Sequence, residues 1–121
     1  MTGPVAIDRV RAEAANHPGE PFLITVTADG APHTSPVPVE WAADHLVVPA
    51  PRHWAQQGRQ QVSLLYPPAS PDGYALIIDG TTTDAGPMLT VSVTRAVLHR
   101  RGRPADATGS ACGSDCVPLI P

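Results

Sequence analysis

Apolar residues recur at helical spacing only at the start of the chain. Ile7, Val10 and Ala14 share one stripe, with Asp8, Arg9 and Glu13 off it. Gly3 can cap such a helix and Pro4 suits its first position. A short helix is predicted over residues 3–16, stopped by His17-Pro18-Gly19. From Phe22 the period changes to two. Phe22, Ile24 and Val26 alternate with Leu23, Thr25 and Thr27, which predicts a strand with one strongly buried face. Asp29-Gly30 then marks a hairpin.

The next strand is expected over residues 32–41, with His33, Ser35, Val37, Val39 and Trp41 on one face. Pro36 and Pro38 fall on the other, and each removes a ladder donor. The strand should therefore be bulged or paired on one side only. Short strands follow over 46–48 and 62–66, separated by a helical turn over 52–57 that Pro51 can start and Gly58 can end. Residues 74–83 form the next expected strand, with Asp79-Gly80 as a bulge candidate. Residues 88–99 are the clearest strand. Leu89, Val91, Val93 and Val97 share one face, and Thr90, Ser92, Thr94 and Ala96 the other. After Arg100 the apolar pattern fails. Residues 101–121 are expected to be a Gly-, Pro- and Cys-containing tail, mobile except where Val117-Pro118-Leu119-Ile120 can dock.

Six strands with few helices predict a mainly β fold, a small antiparallel barrel over residues 1–100 with short flanking helices. Twelve valines and ten threonines suit that class, and a sandwich is the competing architecture. Pro and Gly make up about a fifth of the 121 residues, just below the roughly 25–30% at which disorder becomes the default. The chain can fold, provided its apolar residues are used efficiently.

Charge and composition exclude several functions. There is no lysine, so neither a lysine Schiff base nor a phosphate loop ending in Gly-Lys is possible. A formal net charge of −3 attracts neither nucleic acid nor anionic membrane. No apolar run approaches the roughly 18 residues of a membrane span. Asp8, Arg9, Arg11 and Glu13 stand where a signal peptide would need an apolar stretch, so a cytoplasmic protein is expected. Five scattered histidines lack metal-ligand spacing, and no metal site is predicted.

Two places concentrate polar groups. Arg52, His53 and Arg59 lie on or beside the turn that leaves the third strand. Backbone N–H groups there, with arginine nearby, suit a phosphate, and the plainer reading is a solvated surface turn. Arg95 falls in register with Leu89, Val91 and Val93, so strict alternation aims its guanidinium at the apolar face. It must then meet a ligand anion or a carboxylate such as Asp79 or Glu40, unless the strand bends there. Trp41, Trp54, Tyr66 and Tyr74 can each stack on a planar ring or serve in the core. Cys112 and Cys116 are not at redox spacing, and two free thiols are the default in a reducing compartment. The cluster of Arg95, His99, Arg100, Arg101 and Arg103 has no aromatic interleaving and reads as a solvated strand end.

The order of these elements carries a resemblance. Phe-Leu-Ile-Thr-Val-Thr-Ala-Asp-Gly-Ala-Pro-His at 22–33 is followed by Ser-Pro-Val-Pro-Val-Glu-Trp. Then come Leu-Val-Val, a polar turn, Val-Ser-Leu-Leu-Tyr and Ile-Ile-Asp-Gly-Thr-Thr-Thr. Over residues 5–100 this resembles the pyridoxamine 5′-phosphate oxidase-like family of flavin-binding split barrels. The resemblance implies a six-stranded split β-barrel and a homodimer with two sites at its interface. It also implies FMN or the deazaflavin F420 as cofactor, haem in some relatives, and hydride or electron transfer to a small oxidised substrate.

The family's ring-facing stretch matches residues 33–37, so the resemblance places His33, Thr34 and Ser35 beside the ring. Its phosphate-binding stretch falls on Pro51, Arg52 and His53, with Arg59 in the turn that follows. The family's hydroxyl is replaced here, and His53 stands where a lysine is usual. The leading expectation is an FMN- or F420-dependent oxidoreductase. One alternative is a non-catalytic binder of a small molecule or haem, with His33, His53 or His99 on the iron. Another is an interaction role for the dimer and its cysteine tail.

Overall fold

The computed structural model describes residues 4–52, 54, 60–85, 87–101 and 114–120. The N-terminal stripe forms α1, Pro4–Ala14, and buries Ile7, Val10 and Ala14 in the core. A turn closes it, with Asn16 N–H donating to Glu13 O at 2.9 Å and His17 N–H to Ala14 O at 3.0 Å. His17 is buried and ties the helix end to the sheet. Its Nδ1 lies 3.0 Å from Pro67 O and its Nε2 3.1 Å from Glu13 Oε2.

Eight strands follow among the described residues: β1 Phe22–Val26, β2 Pro32–Pro36, β3 Glu40–Trp41, β4 Leu46–Pro49, β5 Gln61–Tyr66, β6 Ala75–Ala85, β7 Met88–Arg101 and β8 Ser114–Ile120. They form one antiparallel sheet in the order β2-β1-β5-β6-β7-β4-β3, and β8 also pairs with β7. The sheet curls into a half-barrel. Its inner face buries Leu23, Leu64, Leu76, Ile78, Leu89, Val91, Leu46 and Val48 with the α1 stripe in one cluster. Each such side chain contributes about 1.5–3 kcal/mol by leaving water. No helix among the described residues is long and apolar enough to cross a membrane.

The Asp-Gly hairpin forms as expected. Thr27 N–H donates to Ala31 O and Gly30 N–H to Thr27 O, both at 2.9 Å. Gly30 takes φ 91°, a left-handed conformation that needs no Cβ. Thr27 Oγ1 accepts from Ala31 N–H at 3.0 Å and donates to the Asp29 carboxylate. That hydroxyl, with the backbone N–H groups of Asp29 and Ala31, holds the Asp29 carboxyl below its ordinary range.

The structure departs from the sequence expectations at four places. The single strand expected over 32–41 is two, because Pro38 has no N–H to continue the ladder after Val37 N–H donates to Pro21 O at 3.0 Å. Among the described residues β2 pairs only with β1, as its prolines suggested. Within the residues read as a tail, Ser114–Ile120 is a strand. β4 covers only Met88–Val91 of one β7 edge, and β8 takes Ala96–Arg101 further along. The remaining tail residues, 102–113 and 121, with Arg103 and Cys112 among them, lie outside the described residues. Where short flanking helices were expected, α1 is the one α-helix among the described residues; Trp54 N–H donating to Pro51 O begins the helical turn expected over 52–57, of which residues 53 and 55–57 lie outside the described residues.

The fourth departure is Arg95. Asp79 pairs with Arg95 but Gly80 pairs with Val93, so Thr94 is the extra residue of a bulge at the expected Asp79-Gly80 site. One extra residue inverts the alternation. Val93 and Ala96 are buried, and Arg95 points outward with 58% of its side chain exposed.

Candidate functional site

β2 sits at one end of the sheet, and its alternate side chains divide between the two faces. His33 and Ser35 lie opposite Thr25 and Leu23 of β1, both buried, so they project to the inner side. Thr34 lies opposite Ile24 and projects outward. The backbone beyond β4 is pinned in two ways. Ala50 N–H donates to Pro87 O at 2.8 Å, and Trp54 N–H donates to Pro51 O at 3.0 Å while the indole is buried. That turn carries the exposed Arg52.

His33, Ser35 and Arg52 meet across a cleft of about 370 Å³, walled by Pro36, Val37, Pro38, Pro49, Ala50 and Pro51. Four proline rings give it stiff apolar walls with few backbone donors. Among the described residues its polar groups are an imidazole, a hydroxyl and a guanidinium. The guanidinium makes no ion pair with a described residue, and no carboxylate among the described residues lines the cleft. Such a set can grip an anion at one end and lie along a flat apolar body elsewhere. Among the described lining residues there is no acid–base pair.

Of the residues singled out in the sequence, His33, Ser35 and Arg52 are thus brought together. Thr34 is on the opposite face of β2, and Arg95 is on β7, outside the lining of this cleft. His53 and Arg59 lie outside the described residues. None of the candidate stacking aromatics lines the cleft. Trp54 and Tyr66 are core, Trp41 lies under Arg11 at 5.9 Å, and Tyr74 lies under Arg100 at 4.8 Å. His99 is half-buried on β7 between Ala75 and Cys116. Sequence reasoning missed the proline walls, although Pro36/Pro38 and Pro49/Pro51 repeat at the same two-residue spacing.

A second polar group occupies the outer face. Asp79 accepts from Ser63 Oγ at 2.6 Å and from Arg95 Nη1 at 3.4 Å, and Thr94 Oγ1 donates to Asp79 O at 3.2 Å. The Asp79–Arg95 pair is too exposed and screened to contribute much stability. Among the described residues, no three His, Cys, Asp or Glu side chains come together as a metal site.

No family model matches the chain. It is similar to an uncharacterized protein of Mycobacterium bovis and an uncharacterized protein of Mycobacterium tuberculosis. Each is 43% identical over 67 residues, 49% of this chain and 47% of the relative. The chain thus spans about half the length of the curated relatives it matches.

Proposed function

We propose that this half-barrel is a cofactor-binding split barrel of the pyridoxamine 5′-phosphate oxidase-like kind, acting on a small oxidised substrate with FMN or F420. One observation carries this reading. His33 and Ser35 from β2, and Arg52 from the turn after β4, converge on one proline-walled cleft. The residues fit the group in kind. Arg52 would take the phosphate, while His33 and Ser35 would hydrogen-bond a ring edge against flat apolar walls. The volume falls at the lower end of the roughly 300–1,000 Å³ of ligand pockets, so one face of the ring would remain for a partner subunit to cover. When bound, the ring would supply the hydride or electron transfer, and the chain's residues would position it.

Titration of the purified protein with FMN and F420, read by absorbance and fluorescence, tests this. Saturable binding of one of them is expected, and Arg52→Gln should weaken it by about tenfold or more, the cost of a charged hydrogen bond. Folded protein that takes up neither would overturn the reading. A Soret band on adding haem, altered by His33→Ala, would replace it with the non-catalytic alternative.

A further inference from the structure

We propose that a second cleft, on the outer face of the sheet around Asp79, binds a small organic ammonium ion with an apolar body. The cleft measures about 390 Å³ and shares no lining residue with the first. Its centre is a carboxylate two-thirds covered, with 33% of the Asp79 side chain exposed. Ser63 and Thr94 also line it, and their protons are already committed. Ser63 gives its hydroxyl proton to Asp79 Oδ1, and Thr94 gives its own to the Asp79 carbonyl. What both hydroxyls have left is lone pairs. Three side chains therefore converge as acceptors: the carboxylate, with about two of its four lone-pair sites left after Ser63 and Arg95, and two oxygens that can only accept.

Among the described residues the cation beside them is Arg95, at 3.4 Å, well beyond the roughly 2.7–2.9 Å of a charge-assisted bond, and it is largely in water. A primary ammonium carries three donors and one positive charge, which is what this acceptor set lacks. The walls set the rest of the ligand. Ile24 and Val26 line the same cleft, across β5 from the carboxylate. Phe22, Leu65 and Ile77 continue the same face one pair along, all half-buried. An alkyl or aryl body can lie on that row while its ammonium head reaches Asp79.

The test titrates hexylammonium chloride, and hexanol as its neutral counterpart, into the isotope-labelled full chain at low salt. The amide signals of Ile24, Val26, Ser63 and Thr94 are followed. Hexylammonium should give saturable shifts, with hexanol about tenfold weaker or worse. Asp79→Asn, which keeps an acceptor for Ser63, should weaken hexylammonium by about tenfold, and Arg95→Gln should tighten it severalfold by removing the competing cation. Equal binding of hexanol would overturn the proposal, as would unchanged affinity in folded Asp79→Asn. The same shifts from ammonium or sodium chloride alone would also overturn it, by assigning the cleft to inorganic cations. Should Asp79→Asn lose the fold, Arg95→Gln decides, and no gain in affinity counts against the idea.

Discussion

Gly80 has no room for a side chain. An added Cβ would lie 2.6 Å from Val91 Cγ1 and 2.7 Å from Ser92 O. This close approach sits at the bulge that sends Arg95 outward. Gly80→Ala should destabilise the fold by about 1–3 kcal/mol, the usual cost of overpacking, read as a lower urea midpoint. Asp-Gly was legible as a bulge site. The opposite strand's extra residue, Thr94, was not, because a bulge inserts its residue wherever cross-strand packing is best. Tyr66 is one residue through which alkaline pH acts. Burial raises its phenol above the ordinary 10.0, against the lowering effect of a hydrogen bond with the Trp41 side chain. The folded state then keeps a proton that the unfolded state releases. Its stabilisation is full below about pH 10 and is lost as pH climbs through the folded value. Tyr66→Phe should shift the alkaline unfolding midpoint upward, followed by circular dichroism.

At the scale of elements, β8 is the least legible piece. Residues 114–120 carry Ser, Asp, Cys and Pro among a few apolar side chains, a pattern too short and mixed to announce a strand. What recruits it is the long β7, whose C-terminal half extends past β4 and needs its backbone groups paired. Within β8 Leu119 is buried and Val117 is 37% exposed. Leu119→Ala should therefore cost about 2 kcal/mol or more, and Val117→Ala within about 0.5 kcal/mol, compared by chemical denaturation. Equal effects would mean that β8 is not packed as described. The other strands were readable because their apolar side chains alternate, and β2 because its prolines suit only a sheet end. The same prolines split the expected 32–41 strand, a consequence of donors removed rather than of hydropathy.

For the whole molecule, β2 and β3 stand at opposite ends of the strand path, and no described residues pair one with the other. A second copy is the proposed means of completing the container and of covering the proline-walled cleft. Light scattering should give twice 12.6 kDa, and a single-chain mass at micromolar concentration would remove that support. Residues 33, 35 and 52 were separately legible as candidates, yet only curvature of the sheet brings β2 against the turn after β4. Alternation, turn chemistry and missing donors act between near neighbours, so the chain by itself determined the mainly β class, the hairpin, the bulge site and most strand positions. Which edge β8 fills, which way Arg95 faces and which polar groups share a cleft depend on contacts between distant segments. Those were decided by the packing of the folded sheet, where backbone pairing and burial are satisfied together.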